Sequence, residues 1–185
     1  MIFITGGVRS GKSTFAEKVA IEMAKKFQGN LNYIATGVGS DTEMLKRIER
    51  HKQERADSKQ DWKTWEKPTH IGELASVFNN NDVVLLDCVT TLLNNELFSN
   101  QSDWDEEYLN EIYRRVFGGI VKIHENCSKL ILVSNEVLYE AIGGNELVIA
   151  YSRILGRLHQ DIVAKAEYAY LVESGVPILM KGETM

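Results

Sequence analysis

The sequence predicts an α/β fold: one domain built on a mostly parallel sheet, flanked by helices and ending in an antiparallel hairpin. Two observations lead there. Short apolar or β-branched runs alternate along the chain with amphipathic stretches at helical spacing. Near the C-terminus the alternation stops, and two such runs are joined only by Ser174-Gly175, a hairpin signal.

The elements follow in order. Ile2-Phe3-Ile4-Thr5 reads as a buried strand, and Ser13 to Phe27 as a helix, with Phe15, Val19, Met23 and Phe27 on one face. Leu31 to Thr36 is a second strand. Ser40 to about Arg55 is a helix opened by the capping-box pattern Ser40-x-x-Glu43. Val83-Val84-Leu85-Leu86-Asp87 is continuously apolar before its aspartate, as a parallel strand buried on both faces should be. Leu130 to Ser134 is a further strand of this kind. Helices are expected from about Asp103 to Glu125 and from about Leu147 to Ala166. Gly118-Gly119 weakens the first of these and predicts a kink, a break or a close packing contact. Tyr168 to Glu173 and Pro177 to Met180 form the hairpin. Gln60 to Pro68, with Trp62 and Trp65, is the least regular stretch and has room for a short strand.

Gly6-Gly7-Val8-Arg9-Ser10-Gly11-Lys12-Ser13 fits G-x-x-x-x-G-K-[ST], between a strand and a helix as that motif requires. Backbone N–H groups of such a loop surround a polyphosphate at the positive end of the helix dipole. Lys12 is expected on the β- and γ-phosphates of a nucleoside triphosphate, and the Ser13 hydroxyl on Mg²⁺. Asp87, ending its apolar strand, matches the Walker B pattern and is expected to hold the same metal through water. The arrangement is that of a P-loop NTPase-like, RecA-like sheet.

On the helix from Ser40, residues four apart share a face, so Arg47, His51 and Arg55 form a column with Lys52 beside His51. Nearby cations disfavour imidazolium, and a neutral imidazole between arginines suits attack on phosphorus. A solvated basic face with an incidental histidine accounts for the same residues. Glu66 has the chemistry to accept from a guanine N–H edge or a ribose hydroxyl, or is simply an exposed loop residue. His70, His124 and His159 read as surface or core histidines.

Composition narrows the class. At 185 residues, 44% of them apolar, the chain makes one ordinary globular domain. A net charge of −5 argues against dedicated nucleic-acid binding. Cys88 and Cys127, without metal-ligand spacing, read as buried thiols in a reducing compartment. With no room for a signal peptide before Ile2 and no apolar run of membrane length, a soluble cytoplasmic protein is expected.

The P-loop, Tyr33-Ile34-Ala35-Thr36, Arg47-Ile48-x-x-His51 and Asp87-Cys88-x-Thr90 with Asn94 or Asn95 and Leu97 together resemble one family. Asn135-Glu136-Val137, Gly156-Arg157, Gln160 and Leu171-Val172 extend the match over nearly the whole chain. It is the bifunctional adenosylcobinamide kinase/adenosylcobinamide-phosphate guanylyltransferase of cobalamin biosynthesis. The resemblance implies ATP or GTP as phosphoryl donor, adenosylcobinamide as corrinoid acceptor, and GMP transfer from GTP through a guanylylated histidine, here His51. It also implies nucleotide contacts at Ala35, Thr36 and Gly37, guanine-nucleotide contacts at Lys52, Gln53, Glu54, Arg55 and Glu66, and a homotrimer. This chain has Arg50-His51 where many relatives have two histidines, and its Leu138 to Gly143 departs from their glycine-rich loop. A P-loop kinase of another small alcohol, without a covalent histidine step, and a nucleotide-binding regulatory module are the alternatives.

Overall fold

The computed structural model describes residues 1–39, 46, 49, 52–53, 55–58, 60–99, 104–136 and 146–183. Seven strands form one sheet: β1 (Ile2–Gly6), β2 (Asn30–Ala35), β3 (Trp62–Glu66), β4 (Asp82–Asp87), β5 (Lys129–Asn135), β6 (Tyr168–Glu173) and β7 (Val176–Lys181). Their order is β3-β2-β4-β5-β1-β6-β7, parallel except for the β6–β7 hairpin. The unbroken apolar runs of β1, β4 and β5 therefore lie inside the sheet, as expected. The helices with described bounds are α1 (Lys12–Phe27), α2 (Val89–Phe98), α3 (Glu106–Glu125) and α4 (Glu146–Lys165), with a 3-10 helix at Ile71–Val77. Lys46, Glu49, Lys52, Gln53 and Arg55 to Asp57 are also helical. Ser40, Met44, Arg47, Ile48, His51, Glu54 and Leu138 to Gly143 lie outside the described residues.

Strand alternation divides the core in two. Ile2, Ile4, Leu85 and Val133 face α1, whereas Phe3, Leu86 and Leu132 face α2, α3, α4 and the 3-10 helix. Both cysteines are free and buried, and burial pushes the Cys127 thiol up to about 12. Among the described residues, no helix is long and apolar enough to cross a membrane.

Several elements owe their form to local features. β3 fills the irregular tryptophan stretch as an edge strand with three exposed residues, which hides its alternation. α2 was not foreseen; its start is β-branched and its interior carries Asn94-Asn95, both weak helix formers. α3 begins at Glu106 because the Asp105 carboxylate accepts the Tyr108 N–H at 2.8 Å and caps it there. The helix then runs unbroken through Gly118-Gly119. Of the outcomes expected for that pair, the close contact is the one realised. A Cβ on Gly119 would stand 3.0 Å from Ile71 Cγ1 and 3.1 Å from Gly72 N, whereas one on Gly118 would meet nothing within 4 Å.

The two adjacent glycines therefore predict opposite outcomes. Gly118→Ala should stabilise the fold by about 0.5–1 kcal/mol through backbone entropy. Gly119→Val should destabilise it by about 1–3 kcal/mol, because the 3-10 helix backbone must move. Urea unfolding midpoints of the two variants check both signs.

Candidate active site at the carboxyl edge of the sheet

Register brings the chemistry-bearing residues to one edge. Gly6 pairs with Asn135, Ala35 pairs with both Asp87 and Glu66, and Asp87 pairs with Val133. In an open parallel sheet this carboxyl edge is where ligands bind, because loops and helix N-termini converge there.

The P-loop spans β1 and α1. Gly11 caps α1 with φ 91°, a left-handed conformation that costs glycine nothing. Lys12 is buried, and its Nζ donates to the Gly7 carbonyl at 2.9 Å, folded over the loop it serves. Val8 and Arg9 are exposed at the tip, and Ser13 opens the first turn of the helix. The C-terminal hairpin buttresses the loop: Gly175 N–H donates to the Ser10 carbonyl at 2.8 Å. A Cβ on Gly6 would stand 2.3 Å from the Val172 carbonyl oxygen.

Asp87 lies one strand beyond β5, half-buried. One of its carboxylate oxygens accepts the Tyr33 hydroxyl at 3.2 Å. Burial, then the Asp87 charge, raises the Tyr33 phenol well above its ordinary value, so it stays a donor. Thr36 fastens the same corner. Its fully buried Oγ1 lies 3.1 and 3.0 Å from the Asp87 and Cys88 carbonyls and accepts the Cys88 N–H at 2.8 Å. The Thr36 side chain is thus engaged with the Asp87-Cys88 backbone, between Ala35 and Gly37 at the end of β2. Asn95 ties in the neighbouring loops by donating to the Thr36 and Pro68 carbonyls at 2.8 and 3.1 Å. Neither the Tyr33 contact with Asp87 nor this fastening role of Thr36 is legible in the motif Tyr33-Ile34-Ala35-Thr36, because both depend on register between β2 and β4.

Beside β3 an open groove of about 480 Å³ is lined by Lys52, Arg55, Trp62, Thr64 and Glu66. Residues separated in sequence are here brought together: Lys52 Nζ stands 2.9 Å from Glu66 Oε1, both exposed. Such a surface pair contributes little to stability, so its partners are readily redirected to a ligand. Arg55 behaves differently from its expected place in an exposed cationic column. It is 5% exposed, its guanidinium stacks 3.7 Å from the Tyr33 ring centroid, and Nη1 lies 3.7 Å from Glu17 Oε1 on α1. It forms the floor of the groove, with its charge turned towards the sheet. Gln53, exposed, donates to Asp57 at 2.9 Å.

The donor set suits a hard cation that keeps most of its ligands from water and phosphate, since one carboxylate and one helix-start hydroxyl are offered. Among the described residues no group of three or more His, Cys, Asp or Glu could hold a metal alone.

Two outcomes test this geometry. Gly6→Ala should lose nucleotide binding and stability together, because the hairpin must move, whereas Gly7→Ala, with nothing within 4 Å of its Cβ, should fold normally. Thermal unfolding with and without nucleotide reads both. Tyr33→Phe keeps the ring under Arg55 but removes the bond to Asp87. The Mg²⁺ concentration for half-maximal nucleotide binding should rise about tenfold, measured by calorimetry.

Comparison with known proteins bears on the sequence and the fold. The family described as cobinamide kinase / cobinamide phosphate guanyltransferase matches residues 2–180. The bifunctional adenosylcobalamin biosynthesis protein CobU of Escherichia coli K12 is 35% identical, over 98% of this chain and 99% of that protein. CobP of Pseudomonas aeruginosa, of the same description, is 33% identical over 98% of each chain. Among solved structures, an ATPase domain superposes with a TM-score of 0.55 over 98% of this chain and 76% of that one, at 14% identity. That likeness concerns the fold alone, a P-loop NTPase sheet. With a family match across almost its whole length and a P-loop between β1 and α1, this chain belongs to the cobinamide kinase/cobinamide phosphate guanyltransferase family.

Proposed function

We propose that this protein phosphorylates the aminopropanol hydroxyl of adenosylcobinamide and then transfers GMP from GTP onto the new phosphate through a guanylylated His51. The observation that carries the reading is that the P-loop with Asp87 and the groove with Lys52 and Glu66 lie close together, joined through Tyr33. Two successive reactions need two such places, and Tyr33 touches both, through Asp87 and through Arg55.

In the first reaction the acceptor hydroxyl attacks the γ-phosphorus and the bond to the β-phosphate oxygen breaks. The P-loop amides and Lys12 hold the triphosphate in line and offset the charge that spreads over its oxygens. Mg²⁺ held by Ser13 and, through water, by Asp87 would add charge neutralisation at those oxygens.

In the second reaction a neutral imidazole nitrogen of His51 attacks the α-phosphorus of GTP, and pyrophosphate leaves. Two anions need not meet in that step. The substrate phosphate then displaces histidine from the phosphoramidate, so one difficult transfer becomes two easier ones. His51 immediately precedes Lys52, a lining residue of the groove. Lys52 and Glu66 are the groups that would receive the nucleotide, Glu66 by accepting from guanine N–H or ribose hydroxyls.

Separation of the two half-reactions tests the assignment. Intact-protein mass spectrometry after GTP treatment should show one added GMP on the wild type and none on His51→Ala, which should keep phosphoryl transfer to adenosylcobinamide. Lys12→Ala should lose that phosphoryl transfer by about 10²–10³-fold. A wild type that never carries GMP, or an undiminished adduct on His51→Ala, overturns the covalent step.

A further inference from the structure

Behind the carboxyl edge, on the face covered by α2 and α4, runs a chain of buried polar side chains that neither reaction above uses. His159, on the sheet-facing side of α4, is 9% exposed and packs against the Phe3 ring, with centroids 5.1 Å apart. Its Nε2 lies 2.8 Å from Ser134 Oγ on β5. Ser134 Oγ lies 3.3 Å from Thr90 Oγ1, at the start of α2. Thr90 Oγ1 in turn accepts the backbone N–H of Asn135 at 2.8 Å, and the Thr90 carbonyl accepts the Tyr151 hydroxyl at 3.2 Å.

Stability gives little reason for this chain, because apolar side chains of the same shape would fill the space at similar free energy. What the chain determines is the placement of Asn135. That residue ends β5, pairs with Gly6 beneath the P-loop, and its Nδ2 lies 4.0 Å from Cys88 Sγ, next to Asp87. The strand order β4-β5-β1 therefore sets its carboxamide between the metal-side carboxylate and the phosphate loop. A terminal phosphate and an incoming hydroxyl would meet there. The carboxamide can donate to a phosphate oxygen and accept from a hydroxyl at once.

We propose that Asn135 is a catalytic side chain of the phosphoryl-transfer step, aligning the acceptor hydroxyl with the terminal phosphate. His159 is its positioning residue, acting through Ser134 and Thr90. The proposal rests on the kinase reading above. Burial lowers the His159 pKa to about 4, so the ring is neutral at physiological pH. In the tautomer with Nε2 unprotonated, Thr90 donates to Ser134 and Ser134 donates to His159. The Thr90 oxygen is then left wholly as an acceptor for the Asn135 N–H.

His159→Phe keeps a ring against Phe3 and removes Nε2. It should lower kcat for adenosylcobinamide phosphorylation by about 10- to 100-fold, the usual effect of a misplaced group, with nucleotide Kd and GMP loading unchanged. His159→Gln, which restores a polar group in reach of Ser134, should recover much of the rate. The double variant His159→Phe/Ser134→Ala should be no slower than the slower single variant, because both act through one chain. Asn135→Ala should show the same selective loss. The inference is overturned if His159→Phe or Asn135→Ala leaves kcat unchanged, if the single losses multiply in the double variant, or if GMP loading falls in step with kcat. Should His159→Phe fail to fold, Ser134→Ala and Asn135→Ala decide by the same kcat criterion. A wild type without phosphoryl transfer to adenosylcobinamide overturns the kinase reading and this inference together, whereas an active wild type beside a fully active Asn135→Ala overturns the inference alone.

Discussion

Because its N–H groups must be turned towards the ligand, the shape of a phosphate-binding loop depends on what braces its backbone. Here the C-terminal hairpin holds it. Gly175 N–H bonds to the Ser10 carbonyl, and the Val172 carbonyl approaches Gly6 so closely that no side chain fits between. A loop near the N-terminus is thus shaped by the last strands of the chain, which arrive there because β6 pairs in parallel with β1. Every other placement at the edge is measured from that loop, including the turn of Lys12, the start of α1 and the distance across β5 to Asp87.

The second organising feature is that the two candidate sites share a wall. Tyr33 presents its hydroxyl to Asp87 and its ring to the Arg55 guanidinium. An arginine in a basic helical stretch reads in the sequence as one more solvated cation. In the fold it is buried between an aromatic face and the Glu17 carboxylate, where low dielectric strengthens both contacts. This couples α1, the helical residues around Lys52 and the Asp87 corner into one body. The exposed Lys52–Glu66 pair is left as the adaptable part of the groove.

Many of the buried polar groups gather at this same edge. Thr36, Thr90, Ser134 and His159 are all buried, and each is hydrogen-bonded to backbone or side chain near Asp87 or Asn135. Asn32 and Asp82, bonded to each other at 3.1 Å, are buried further back along β2 and β4. From Val83 to Leu86, β4 is wholly apolar. Satisfied polar networks restrict geometry where apolar packing would tolerate small shifts. Their location at the ends of β2, β4 and β5 sets the side chains that point out of the sheet.

The sequence by itself determined the α/β class, the central strands, the P-loop and an aspartate at the end of a buried strand. Each of these is a local pattern: an unbroken apolar run, a glycine spacing, a strand-terminal carboxylate. It also determined the family, through motif order along the chain. Tertiary structure decided what depends on register and on which residues face each other across it. Tyr33 meets Asp87, Arg55 stacks beneath the groove, Thr36 closes the β4 corner and His159 reaches Asn135 through Ser134 and Thr90. None of these pairs is adjacent in sequence, and no local propensity distinguishes a tyrosine that buttresses a carboxylate from one that fills a core. β3 was only weakly legible because an edge strand needs little apolar alternation, and α2 escaped local reading because a buried helix needs no polar face. Strand pairing and burial, which arise only when the whole sheet is assembled, supplied those answers.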